Sequence, residues 1–240
     1  MYRSNKIYPD SYVYQIVANK INSIDVDKFD YLMRDPYHLG FSYNFDYKRL
    51  TNKMKIIDGD IYYNETVAND IFDMYNTRYK FHRDIYNHKA VKSIELMIGD
   101  ILIGSDCVYN YSNIIGTDEF IGLDDSILTR IKYNNESCLD KCRMLINRIE
   151  NRDIYKLVYS TNSEELDSIK DTILDKNKDN RADDYHFIEI SYDFCNGVDS
   201  PLSKVNFYRG CDNKIDYENV NGIKLMPNSF KETIRYVYKK

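Results

Sequence analysis

Apolar positions repeat with a helical period through the first part of the chain and give way to strand-like runs after Arg152. Val13, Ile16, Val17 and Ile21 mark a first helix, with Asp10 or Ser11 as its cap. A second helix begins near Asp27 and is expected to end at Asp35, because the residue before Pro36 is pushed away from helical geometry. NFDYKRL (Asn44 to Leu50) follows, and then KMKIIDGDIYY, two strand-like runs around Asp58-Gly59 that predict a hairpin. From Val67 a long helical pattern runs to Ile103 through Ile71, Met74, Tyr75, Ile85, Val91, Ile94, Ile98 and Leu102. Gly99 and Gly104 mark a soft region and its end. A shorter helical stretch covers Asp124 to Ile149.

DIYKLVYS, FIEISYDF and KVNFYR read as strands. Between the first two, Ser163 to Asp175 predicts a helix whose Ser163, Glu164 and Glu165 suit an N-terminus. KNKDNRADD (Lys176 to Asp184) reads as a solvated loop, and Pro227 to Tyr238 as a final helix. The expected class is α+β. A mainly helical lobe covers residues 1–110, a helical connector 111–150, and a small lobe of strand, helix, strand, strand, helix 151–240. No internal repeat is present.

A chain of 240 residues can bury one good core or two modest ones, and 43% apolar with 30% charged residues argues against disorder. Tyrosine is abundant, 24 copies against no Trp, alongside many Asn, Ile, Lys and Asp. These are residues of A/T-rich codons, so we read most of the tyrosines as genome bias rather than as a stacking surface. The net charge of −5 argues against a general nucleic-acid binder but leaves room for a local basic pocket that takes a nucleotide. No apolar run reaches bilayer length, and MYRSNKIYPD has no signal-peptide core. The expectation is a soluble intracellular protein, cytoplasmic or nuclear, with no membrane partner. Cys107, Cys138, Cys142, Cys195 and Cys211 have neither framework nor zinc spacing, so they read as free thiols in a reducing compartment. The sequons at Asn64 and Asn135 then carry no sugar.

Two stretches concentrate chemistry. In IDVDKFDYLMRDPYHLG (Ile24 to Gly40), Asp27, Tyr31 and Asp35 fall at i, i+4 and i+8 on a helix, with Lys28 beside them. A metal–phosphate site would use such a face. The structural alternative makes Asp25 and Asp27 caps, Tyr31 half-buried and Asp35 surface. In TRYKFHRDIYNHK (Thr77 to Lys89), Arg78, His82 and Tyr86 share the same spacing. Arginine's planar fork suits phosphate oxygens, and a solvated basic face is the alternative.

IVANKINSIDVDKFDYLMRDPYHLG, NFDYKRL and FDMYNTRYKFHRDIYNHK, followed by IENRDIYKLVY and KVNFYRG…SFKETIRYVYKK, resemble the SAM- and HD-domain deoxynucleoside triphosphate (dNTP) triphosphohydrolases in the same order. Those enzymes cut a dNTP into nucleoside and tripolyphosphate. The likeness spans nearly the whole chain and is weakest between Cys107 and Glu136. It makes the helical lobe the C-terminal part of an HD-type bundle. It implies Asp27 as a metal ligand, Lys28 and Arg78 as phosphate contacts, and Tyr31, Asp35 and Tyr86 around the deoxyribose, with Asp25 in the same wall. Asn87 stands where the family has glutamine, one methylene longer. Family members assemble as tetramers through guanine- and dNTP-filled regulatory sites. Here Arg152 and Lys156 match the first kind, and Asp46, Arg49, His88 and Lys89 part of the second, with Arg209 replacing a lysine. Asn64 and Thr66 fall where basic residues are expected, and Asp84 replaces an arginine.

The metal set of this family is His…His-Asp…Asp. The four histidines here, His38, His82, His88 and His186, all follow Asp27, and none has an aspartate as its next residue. The resemblance therefore implies that the SAM domain, the histidine ligands, the catalytic histidine and part of the base pocket lie outside this sequence. A divalent ion (Mn, Fe, Mg or Zn) is expected only if another chain supplies the remaining ligands. The expectation is a chain that binds dNTP or GTP and is inactive alone. A second polypeptide carrying the HD helices would complete it, or a second copy would assemble with it. The alternative is a non-catalytic remnant or regulatory protein of the same descent. Apolar helix faces are expected to be left uncovered.

Overall fold

A computed structural model describes residues 12–41, 46–176, 181–221 and 226–240. The expected cap at Asp10 or Ser11, the first two residues of NFDYKRL and part of the 176–184 loop lie outside them. The chain begins α1 (Tyr12–Val17), α2 (Val26–Leu39), α3 (Tyr47–Asn52), β1 (Met54–Ile57), β2 (Asp60–Asn64) and α4 (Ala68–Lys80). A π-helical turn (Phe81–Tyr86) leads into α5 (Lys89–Tyr109), α6 (Tyr111–Ile114), α7 (Ile127–Tyr133) and α8 (Asp140–Glu150). Then come β3 (Lys156–Thr161), α9 (Leu166–Lys176), β4 (Tyr185–Asp193), β5 (Phe207–Arg209), β6 (Asn213–Ile215) and β7 (Lys231–Lys239). The class is α+β, as expected. Two compact units form: the described residues up to Ile85 with Ser191–Glu232, and Tyr86–Ile190 with Thr233–Lys240. No helix among the described residues is long and apolar enough to cross a membrane.

In the first unit the hairpin forms where the sequence places it. Ile57 faces Asp60, and Asp58 (φ 52) and Gly59 (φ 90) both take left-handed geometry, as a two-residue primed turn requires. β2 pairs in parallel with β5, and β5 with β6, giving the order β1-β2-β5-β6. KVNFYR is thereby corrected: its strand joins the hairpin's sheet, drawn there by the fully buried Phe207. α1 stops at Val17, short of Ile21. Val13 and Val17 are exposed, and apart from Ile24 the buried positions from here to Asp25 are polar: Gln15, Asn19, Asn22 and Asp25. α2 runs through Pro36 instead of ending at Asp35. The missing N–H falls in the last turn, the ring is buried, and Gly40 (φ 73) and Phe41 both donate to the Pro36 carbonyl to close the end. α4 buries Ala68, Ile71, Met74 and Tyr75 at helical spacing. Phe194, just after β4, stacks on Phe72 and Tyr79 of α4 with ring centroids 5.9 and 4.8 Å apart, and meets Phe230 edge-on.

The expected continuous helix from Val67 to Ile103 is two helices separated by the π-helical turn and by His88, whose Nδ1 accepts from the Ala90 N–H at 3.3 Å as the cap of α5. Gly104 does not end α5, which continues to a left-handed Asn110. A Cβ on Gly104 would lie 2.8 Å from Cys142 Sγ, so the glycine serves the close approach of α5 and α8. The expected helix from Asp124 to Ile149 is likewise two, α7 and α8. Ile101, Ile131, Leu139, Cys142 and Ile146 form the core there. α9 starts at Leu166, three residues after the expected Ser163. Pro227–Tyr238 is corrected from helix to strand: β7 lies between β3 and β4, with Lys239 opposite Lys156. Phe230, Ile234, Val237 and Tyr238 fit a helical spacing, but the β-branched and aromatic run TIRYVY suits a strand buried between two others.

Candidate functional site

The site begins in the turn ahead of α2. Asn19 Oδ1 accepts from the Ile21 and Asn22 N–H groups at 2.9 and 3.2 Å, and Asn22 Oδ1 accepts from Ile24 N–H at 3.0 Å. Tyr75, wholly buried on α4, donates its hydroxyl to the Asn22 carbonyl. Asp25 locks this turn onto the helix. Its carboxylate accepts from the Lys28 N–H at 3.1 Å and the Asn19 N–H at 3.0 Å, and lies 3.4 Å from Lys28 Nζ. Asp25 is thus a cap, as the structural alternative has it, and it also holds Lys28 in place.

Because α2 is unbroken, Asp27, Tyr31 and Asp35 do share one helix, with Asp27 exposed and Tyr31 half-buried. Burial pushes the Tyr31 hydroxyl up to about 12. The neighbouring Arg78 guanidinium opposes that push, and Cys195, Asp27 and Asp25 add to it. Arg78 reaches the site from α4, donating Nη1 to the Asp193 carbonyl at 3.0 Å, with the Asp193 carboxylate 3.7 Å away. Burial, then the Arg78 and Lys28 charges, hold His82 below its ordinary value against the pull of Asp193. Cys195 sits in left-handed geometry (φ 73). Burial raises its thiol pKa, and Arg78 and Lys28 lower it. One unit therefore gathers two cations, a phenol that stays protonated, an imidazole biased towards neutrality and a solvent-facing carboxylate.

Asp193 and Cys195 were not among the sequence candidates. YDF closes a strand-like run and CNG carries a turn signal, neither of which points to a site, and it is the stacking of Phe194 on α4 that brings them to Arg78. Tyr86 and Asn87 belong to the second unit, past the point where the α-helical period gives way to the π-helical turn. The even stripe of Arg78, His82 and Tyr86 expected from spacing does not continue beyond Lys80 as α-helix. Among the described residues, no three His, Cys, Asp or Glu side chains converge to hold a metal. Asp27 alone does not fit a divalent ion, and the charges of Arg78 and Lys28 act on His82.

The residues expected around a regulatory nucleotide divide between the units. In the first, Asp46 caps α3 through the Arg49 N–H, and Arg49 donates to Asp70 at 2.8 Å and to the Thr66 carbonyl at 3.3 Å. Arg209 makes a two-pronged ion pair with Glu65, with Nη2 to Oε2 at 2.7 Å. This pair holds the Glu65 carboxyl below its usual range. Asn64 caps the turn between them, accepting from Thr66 N–H at 3.2 Å. In the second unit His88 and Lys89 open α5. Arg152 takes a left-handed turn (φ 61) after α8, and Lys156 begins β3.

No protein-family model matches the chain. The deoxynucleoside triphosphate triphosphohydrolase SAMHD1 homolog of Dictyostelium discoideum is 43% identical over 149 residues, 62% of this chain and 29% of that protein. Deoxynucleoside triphosphate triphosphohydrolase SAMHD1 of Gallus gallus is 30% identical over 95% of this chain and 42% of its own length. An HD domain-containing protein of Acanthamoeba polyphaga mimivirus is 32% identical over 82% of this chain and 48% of its own. The chain spans less than half the length of these curated relatives. With such similarity running over nearly all of its residues, the chain belongs to the SAMHD1 family of deoxynucleoside triphosphate triphosphohydrolases, matching one part of those longer proteins.

Proposed function

We propose that this chain is the dNTP-binding portion of a triphosphohydrolase-type protein, in which cleavage to nucleoside and tripolyphosphate needs metal ligands from another polypeptide. The convergence of Lys28, Tyr31 and Arg78 beside Asp27 carries this reading. Lys28 and Arg78 give the triphosphate a cationic seat, and Arg78 spends one of its five N–H donors on Asp193. Tyr31 stays protonated at neutral pH, so its hydroxyl can donate to a sugar or phosphate oxygen. Asp35, on the same helix as Tyr31, adds a contact to the deoxyribose. Exposed Val13, Val17, Val26, Met33 and Tyr37 on α1 and α2 offer the partner polypeptide an apolar surface.

A second reading, binding without nucleotide activation, draws on a separate observation. Asp70 and Glu65 already neutralise Arg49 and Arg209, so a polyphosphate there must displace a carboxylate from each. The first test is dGTP hydrolysis by the purified chain with Mn²⁺, with and without GTP, beside calorimetric binding of dGTP. We expect binding that Arg78→Ala weakens roughly tenfold or more, the loss of one charge-assisted contact, and no product from the chain alone. Release of deoxyguanosine and tripolyphosphate at an enzyme-like rate overturns the partner requirement. Absence of binding overturns the nucleotide reading.

A further inference from the structure

We propose that Cys107 and Cys138 are a closely spaced dithiol that hydrogen peroxide converts into an intramolecular disulfide. Cys107 lies in the last turn of α5, and Cys138 in the short 3-10 turn Ser137–Leu139 that leads into α8. Their Sγ atoms are 3.2 Å apart, and both residues are exposed to a small oxidant. A disulfide bond measures about 2.05 Å, so closure asks the sulfurs to approach by roughly 1 Å. The two backbones are held in register beneath them. Ile101, Leu139 and Cys142 pack into one core, and Gly104 lets α5 lie close to α8. Cys142 is excluded from the exchange: it is buried, with its Sγ on the Ile101 carbonyl at 3.5 Å.

The chemistry balances with the peroxide as the two-electron oxidant. One thiol attacks the peroxide oxygen and becomes a sulfenic acid as the first water leaves. The other thiol then attacks that sulfur, forming the S–S bond and releasing the second water. The hydrogen bond between the thiols, and then burial, raise the pKa of Cys138, so reaction at neutral pH is expected under sustained rather than brief exposure. Closure ties α5 to the start of α8 around α6 and α7.

The test is tryptic mapping of the full chain after hydrogen peroxide, without reductant. Lys141 separates Cys138 from Cys142, and Arg130 and Lys132 separate Cys107 from Cys138, so each pairing has its own mass. We expect a peptide joining Cys107 and Cys138, a 2 Da loss in the intact chain, and a melting rise of roughly 5–10 °C that dithiothreitol reverses. Cys138→Ser should abolish all three and leave Cys107 trapped as a dimedone adduct, whereas Cys142→Ala should keep the joined peptide. Thiols that oxidise only singly, or pairing that involves Cys211 or a second chain to the same extent, overturn the proposal.

Discussion

Replacing Asp25 by alanine tests the foundation of the site. The carboxylate is buried at 6% exposure and accepts two backbone N–H groups, from Lys28 as the cap of α2 and from Asn19 across the turn. Losing a cap costs about 1 kcal/mol. Leaving the buried Asn19 N–H unpaired costs a further ~1–3 kcal/mol, and the sum is roughly 2–4 kcal/mol. Asparagine keeps one acceptor oxygen but turns an NH₂ towards the second donor, so it should lose about half as much. With no Trp in the chain, the assay is urea unfolding followed by far-UV circular dichroism and tyrosine fluorescence. The order wild type, Asp25→Asn, Asp25→Ala is expected, and dGTP binding should fall with it because Lys28 loses its anchor. A loss below about 0.5 kcal/mol for Asp25→Ala would refute the claim that this carboxylate organises the turn.

Three further outcomes follow from the same geometry. Gly104→Ala places a Cβ 2.8 Å from Cys142 Sγ and should destabilise by about 1–3 kcal/mol. Adding Cys142→Ala should recover part of that loss, and strict additivity in the double-mutant cycle would exclude the contact. His82, held below 6.5 by burial and by Arg78, makes the folded state prefer neutral imidazole. Its stabilisation is therefore present above pH 6.5 and lost as pH falls through the lower folded value; the His82 ring resonance, assigned through His82→Gln, should titrate below 6.5 and move up in Arg78→Ala. Cys195, within electrostatic reach of Arg78 and Lys28, should react with iodoacetamide about tenfold more slowly when dGTP is at ten times its dissociation constant, and unchanged labelling would place the nucleotide elsewhere.

Local signals were readable where local physics decides. Asp58-Gly59 predicts its hairpin because few residues tolerate two left-handed conformations in succession. Asp25 is legible as a cap because the side chain reaches forward only three residues, to the Lys28 N–H. Pro36 misled because the push on the residue before a proline is a bias and not a bar: Asp35 stays helical ahead of a buried ring in a final turn closed by Gly40. The final strand was missed because Phe230, Ile234, Val237 and Tyr238 satisfy a helical period as well as a buried strand does, and only pairing with β3 and β4 distinguishes the two. KVNFYR was recognised as a strand, but its sheet was not, since nothing within three residues encodes a parallel partner some 145 positions upstream.

The same division explains the site. Asp27, Lys28 and Tyr31 lie within one helical turn, so spacing alone could group them. Arg78 joins them because α4 delivers it, and Asp193 and Cys195 because one aromatic stack fixes the chain after β4 to that helix. A guanidinium expected to meet phosphate therefore already has a carbonyl and a carboxylate beside it. Arg49 and Arg209 have carboxylates of their own in Asp70 and Glu65. What distinguishes the three is how firmly each is held. Arg209 is clamped by two prongs, and Arg49 is in direct contact at 2.8 Å, whereas Arg78 stands 3.7 Å from its carboxylate. An incoming triphosphate displaces least at Arg78, so binding should be confined there. Arg78→Ala should weaken dGTP binding, and Arg209→Ala should leave it within about twofold, under 0.5 kcal/mol. Equal losses from both variants would mean that the clamp on Arg209 opens for nucleotide, and the site at Arg78 would no longer be the preferred one.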